Sequence, residues 1–301
     1  MVPQSVLVTG GTGTLGRAVV QRLLDGAPPG ARLPDGRPAV RLLSRRRRPA
    51  GDDRPYDWVT GDLGSGEGIA EAVAGTDVVI HCATTAGRGD VEATRRLTET
   101  VAGQTEGSPH LVHISIVGID RIPLGYYRAK LECERIIESS QVPWTILRAT
   151  QFHDLIVRIA AAQRRLPVAL ACAGVRFQPV DVGEVAGRLV ELADGLPAGR
   201  APDMGGPEVR SHADLTREWL RATGRRRPVL SLPLPGKAGR ALRDGANLVP
   251  AGGAAPGGTA GDGGSGDGGS GSGNGGGGGT GPAPTIGRVT FGRYLAARHP
   301  G

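Results

Sequence analysis

The chain has 301 residues, 39% of them hydrophobic, which suffices for one large α/β domain with a small appendage but is tight for two full-sized domains. The net charge of +7 does not mark a nucleic-acid binder, because the arginines are dispersed apart from runs at 45–48 and 225–227, and aromatics at 3% are too few for a base-stacking surface. There is no basic-then-apolar N-terminal stretch and no run of about 18 apolar residues, and Cys82, Cys133 and Cys172 have neither disulfide-framework nor metal spacing, so a soluble, cytoplasmic protein with no metal site and no membrane partner is expected.

Apolar runs alternate with helical patterns through the first half, the signature of βαβ units on a parallel sheet. "SVLVT" (5–9) reads as a buried strand, and Leu15, Val19, Val20, Leu23 and Leu24 then share one helical face. Further strands are predicted at "AVRLLS" (39–44), "DWVTG" (57–61), "DVVIHCA" (77–83), "HLVHISI" (110–116) and "WTILRA" (144–149), with helices around 90–103 and 126–139. Residues 28–38 read as a lengthened loop. After residue 150 the pattern changes to helices at 180–193 and 211–223 with a strand at 229–235. The composition collapses to Gly, Ser, Asp, Ala, Thr and Pro at 251–283, which predicts a disordered linker, and Val289, Phe291, Tyr294 and Leu295 then suit a last helix within 284–301. The predicted architecture is a doubly wound parallel sheet over 1–150, a small C-terminal α/β portion over 151–250 on the substrate side, the linker and the final helix.

"VTGGTGTLG" (8–16) sits between a predicted strand and a predicted helix, the context of a dinucleotide-binding loop. Gly10 suits a tight turn, Gly13 lets backbone approach a pyrophosphate, and Gly16 permits close helix packing, with Thr12, Thr14 and Leu15 completing the loop and helix start. The second strand ends "LLSRRRR", with no carboxylate from Leu42 to Ala50 to take the ribose hydroxyls of NAD. Ser44, Arg45 and Arg46 instead suit a 2′-phosphate, so NADP is preferred over NAD. Asp62 and Leu63 are placed to meet the adenine, and Ala83 and Thr84 to line the cofactor path.

Tyr126 and Lys130 are four apart, so a helix projects both on one face, where the ammonium favours loss of the phenolic proton. Of 36 basic residues only Lys130 and Lys237 are lysines, so a merely solvated cation at 130 would be expected to be arginine. Tyr127 lies three from Lys130 on a nearby face, but the four-residue spacing favours Tyr126. Ser115, at the end of the fifth strand, can polarise a substrate carbonyl.

"VTGGTGTLG", "GDL" (61–63), "VVIHCA", "HISIVG" (113–118) and "YYRAK" resemble the short-chain dehydrogenase/reductase superfamily, and the short gap from Ser115 to Tyr126 with "PWTILRATQFHDL" (143–155) resembles its atypical, NmrA-like NAD(P)-binding branch, over residues 5–235. The resemblance implies a Rossmann fold, NAD(P)H, and Ser115, Tyr126 and Lys130 at the catalytic positions, with Lys130 also on the nicotinamide ribose. The usual relay asparagine has no counterpart, since none precedes Asn247; the helix in question reads "DVEATRRLTETVA". The expected function is reduction of a small carbonyl or quinone-like compound by NADPH. The alternatives are a non-catalytic NADP(H) sensor read by a protein partner, or an epimerase or dehydratase. His81, His110 and His113 read as packed or edge residues, Arg148 as structural and Asp181 as a helix cap, while for Gln151 and His153 contact with nicotinamide or substrate and a structural role stand level.

Overall fold

The computed structural model describes residues 4–26, 33, 36, 38–104, 107–250 and 283–299. The first half runs β1 (Val6–Thr9), α1 (Thr14–Gly26), β2 (Val40–Ser44), β3 (Asp57–Thr60), α2 (Ile69–Val73), β4 (Val78–His81), α3 (Gly89–Ala102), β5 (His110–Ile116), α4 (Gly125–Glu138) and β6 (Trp144–Ala149). It continues through α5 (His153–Ala162), β7 (Ala169–Cys172), β8 (Arg176–Phe177), α6 (Val182–Asp194), β9 (Gly199–Arg200), β10 (Met204–Gly205) and β11 (Arg210–Ser211). The last elements are α7 (His212–Ala222), β12 (Val229–Leu232), α8 (Gly236–Arg243), β13 (Thr285–Ile286) and α9 (Phe291–Arg298).

The main sheet has the order β13-β10-β6-β5-β4-β1-β2-β3, with β9 also on β6, and its pairings are parallel. Because alternate side chains of a strand point to opposite faces, the apolar runs feed two cores. Val6, Val8, Ile80, Val112 and Leu147 pack with α1 and α6, whereas Leu7, Val79, Leu111 and Ile146 pack with α2, α3 and α4. A third core, from Ile156, Phe177, Leu215, Trp219, Phe291 and Leu295, joins α5, α7 and α9. Smaller two-stranded sheets pair β11 with β8 and β12 with β7.

The long strands fall within a residue or two of their predicted limits. The strand predicted at 229–235 stops at Leu232, before Pro233, which has no N–H for a ladder. The five-residue α2, the helices α5 and α8, β7 and the two-residue strands lie outside the predicted elements. The predicted linker lies outside the described residues except for residue 283, as does most of the 28–38 loop.

The chain beyond the linker closes back onto the main sheet. β13 pairs with β10, and the Glu184 carboxylate accepts from the Arg288 N–H at 2.6 Å. The Thr290 hydroxyl caps α9 by accepting from the Arg293 N–H at 3.2 Å.

Candidate active site

The strand order reverses between β1 and β4, so the loops leaving their carboxyl ends diverge and open a crevice. The glycine loop rises from β1 on one side of it. Gly10 has φ 70°, and a methyl group added there would sit 2.6 Å from the Ala83 backbone. The close approach of these two loops therefore depends on the missing side chain. Gly16 packs against the carbonyl of Gly10, where an added methyl would come within 2.1 Å. Thr12, Gly13 and Thr14 are exposed at the tip, while Leu15 turns its side chain into the core and leaves its first-turn amide as its available donor.

At the end of β2, Ser44 is buried and its hydroxyl accepts from the Arg46 N–H at 3.2 Å, fixing the turn that carries the arginines. Nearby acids are engaged elsewhere. Arg41 takes Asp57 at 3.0 Å and Arg54 takes Asp52 at 2.8 Å, the latter pair joined by a short contact from the Tyr56 hydroxyl. Arg48 is structural, donating to the carbonyls of Arg54 and Tyr56 and lying over the Tyr56 ring. Arg45 and Arg46 are exposed and form no ion pair among the described residues. Asp62 is bound into its own turn, accepting from the Gly64 N–H at 2.8 Å, and Leu63 is buried in the core under α2 and α3.

α4 brings Tyr126 and Lys130 to the crevice as their spacing predicts, with different surroundings. Tyr126 is half-buried and its hydroxyl lies 3.5 Å from Thr84 Oγ1. Lys130 is buried, only 4% of its side chain being exposed, with its Nζ 3.9 Å from Asp90 Oδ2. Ser115 is also buried, and its hydroxyl has no hydrogen-bond partner among the described residues. An unmet buried hydroxyl costs free energy unless something else supplies its partner.

Below these groups, on the same face of the sheet, His81 and His113 stack across β4 and β5 with centroids 5.0 Å apart. His81 Nδ1 pairs with Thr9 Oγ1 at 2.7 Å. Burial, reinforced by the Lys130 ammonium, pushes His81 down to about 3 and His113 well below its ordinary value, so both stay neutral. Burial pushes the Cys82 thiol up to about 12 against the opposing pull of Lys130. The lysine thus faces groups that carry no competing positive charge.

Residues 10–159 match a family model described as NAD(P)H-binding. A curated relative, (4-alkanoyl-5-oxo-2,5-dihydrofuran-3-yl)methyl phosphate reductase of Streptomyces griseus, is 29% identical over 227 residues, covering 73% of this chain and 74% of that protein. Among solved structures, an NADPH-dependent quinone oxidoreductase of Escherichia coli complexed with NADPH superposes with a TM-score of 0.64 at 17% identity, covering 81% of this chain and 88% of the other. The Citrobacter triphenylmethane reductase complexed with NADP(H) gives 0.63 at 16% identity, over 81% and 89%. Residues 10–159 are thus marked as NAD(P)H-binding, and the chain shares the fold of these solved structures.

The residues fit the NAD(P)H that the family model describes. The glycine loop offers exposed backbone at a helix N-terminus, and the Ser115 hydroxyl, without a partner among the described residues, lies near the carboxyl end of β5. Other residues singled out in the sequence fall to structural roles. Arg148 makes a two-pronged bridge to Glu134 at 2.9 and 2.6 Å, and Asp181 caps α6 by accepting from the Gly183 and Glu184 N–H groups. His153 is buried against Phe291 and Tyr294, with Nε2 3.0 Å from the Val289 carbonyl oxygen, so it belongs to the α9 interface.

Two features of the site escaped the sequence reading. Asp90 looks like an ordinary first-turn acid of a helix, yet it is buried beside Lys130. Gln151 and Asn247 are both buried and lie within 3.5 Å of each other, although 96 residues separate them, and Gln151 also bonds the Tyr127 side chain. Burial pushes the Tyr127 phenol up, against the opposing pull of that bond. Neither contact had a signal in the sequence, since each joins residues far apart along the chain.

Proposed function

We propose that this NAD(P)H-dependent oxidoreductase reduces a small carbonyl or quinone-like substrate, with NADPH preferred and Tyr126 giving the proton to the substrate oxygen. When bound, the cofactor supplies the hydride. The glycine loop and first turn of α1 hold its pyrophosphate, while Arg45 and Arg46, without acidic partners among the described residues, hold the 2′-phosphate. Ala83 and Thr84 line its path, Asp62 and Leu63 stand at the adenine end, and Lys130 takes the nicotinamide ribose. Ser115 Oγ donates to the substrate oxygen and Tyr126 Oη delivers the proton there. The part of the chain from 151 to 250 covers the substrate side.

The observation that supports this reading best is the meeting, at one crevice, of the glycine loop with a half-exposed phenol, a buried ammonium and an unpartnered hydroxyl. The relatives named above are reductases by their names, and a butenolide phosphate, a quinone and a simple carbonyl form the natural substrate panel. Titration with NADPH and NADH, then NADPH oxidation across that panel by wild type and Tyr126→Phe, tests it. Binding without turnover of any compound favours a cofactor sensor instead, and tighter NADH binding removes the role given to Arg45 and Arg46.

A further inference from the structure

The buried carboxylate of Asp90 is joined to both halves of the Tyr126–Lys130 pair. Its Oδ2 lies 3.9 Å from Lys130 Nζ and accepts from the Thr84 hydroxyl at 2.6 Å. Its Oδ1 accepts from the Thr85 N–H at 2.5 Å and the Thr85 hydroxyl at 2.8 Å. A threonine hydroxyl has one proton and two lone pairs. Since that proton goes to Asp90, Thr84 Oγ1 can only accept from its other neighbours, the Ala86 N–H at 3.0 Å and the Tyr126 hydroxyl at 3.5 Å. An acceptor so placed favours the phenol that still carries its proton. Asp90 also holds the loop that lines the crevice, in which Ala86 adopts a left-handed φ of 58°.

We propose that Asp90 is a positioning residue that keeps the proton on Tyr126, by orienting Thr84 as an acceptor and by offsetting the Lys130 charge, and so sets this site for proton donation. Lys130 alone draws the proton off a neighbouring phenol. With Asp90 beside it, the ammonium still orients ligand oxygens but pulls less on the phenol. The other titratable groups facing this pair are His81 and Cys82 on β4, His113 on β5, and Tyr127 and Cys133 on α4. The histidines are held neutral by burial and the Cys82 and Cys133 thiols are held protonated by it, which leaves Asp90 as the counter-charge to Lys130. The inference rests on Tyr126 acting as the proton donor.

The test is the pH profile of NADPH oxidation for wild type, Asp90→Asn, Thr84→Val and Thr84→Ser, with NADPH affinity measured beside it. Loss of the Asp90 charge should move the alkaline fall in kcat to lower pH by about one unit. Thr84→Val should move it in the same direction by less, and Thr84→Ser should restore the wild-type profile. A defect confined to folding would lower the rate at all pH values and leave the profile in place. An unmoved profile in both Asp90→Asn and Thr84→Val, with turnover still abolished by Tyr126→Phe, overturns the role of Asp90 alone. If Asp90→Asn does not fold, the two Thr84 variants decide. If wild type binds NADPH but reduces nothing, the proposed function fails separately, and ultraviolet titration of the Tyr126 phenol, identified by difference from Tyr126→Phe, carries the test. Ionisation at lower pH in Asp90→Asn then supports the inference, and an unchanged midpoint overturns it.

Discussion

Lys130 and Glu134 lie one turn apart on α4, both buried, and they are charged groups of opposite use. Glu134 is saturated: Arg148 binds both its oxygens and Arg200 adds a contact at 2.9 Å. Lys130 is not: its nearest acid is 3.9 Å away and spends its lone pairs on Thr84 and Thr85. A buried charge with every bond satisfied ties α4 to β6 and β9, whereas one held at arm's length keeps donor capacity for a ligand. The difference separates the structural end of the helix from the end proposed to carry the chemistry.

The sharpest way to break this comparison is at the saturated end. Glu134→Ala takes from the partly buried Arg148 its main partner, leaving it Asp120 at 3.5 Å, and should cost about 3 kcal/mol in urea unfolding. A loss below about 1 kcal/mol would mean that Glu134 is no more structural than Lys130.

Acid should attack the other end first. His81 and His113 lie beneath Lys130, and burial holds both well below their unfolded value of 6.5. Below that value the unfolded chain takes up protons that the folded chain refuses, so folding stability falls as pH drops from about 6.5 towards the folded value of His81 near 3. Each such histidine contributes about 1.4 kcal/mol per pH unit within that window. Stability measured by denaturant between pH 7 and 5 should fall accordingly, and His81→Asn should reduce the slope. A flat profile would contradict the neutral, buried pair.

A smaller effect is expected at the cofactor's far end. Arg45→Ala and Arg46→Ala should each weaken NADPH binding by about tenfold and leave NADH nearly unchanged, as read by fluorescence titration. Arg48→Ala, at a residue committed to Tyr56 and the Arg54 carbonyl, should instead lower stability and leave the NADPH-to-NADH ratio alone.

Much of the first half was legible because its signals are local. The strands of the parallel sheet are continuous apolar runs, and the glycine spacing lies between a strand and a helix. The scarcity of lysine marked Lys130 before its burial was visible. What stayed hidden depends on distant partners. Asp90 reads as a solvated helix start until α4 covers it, Gln151 meets Asn247 only through the tertiary fold, and β10 and β13 are two-residue strands that exist because the sheet edge pairs them. His153 could not be placed from sequence because the segment that covers it, Val289 and then α9, arrives 136 residues later and beyond.

The central claim, that Tyr126 is the proton donor of a reductase, is tested most directly by NADPH oxidation with the carbonyl and quinone panel, wild type against Tyr126→Phe. Turnover by wild type, reduced at least about a hundredfold in the variant with NADPH affinity unchanged, is the predicted result. Equal turnover by both proteins would contradict it.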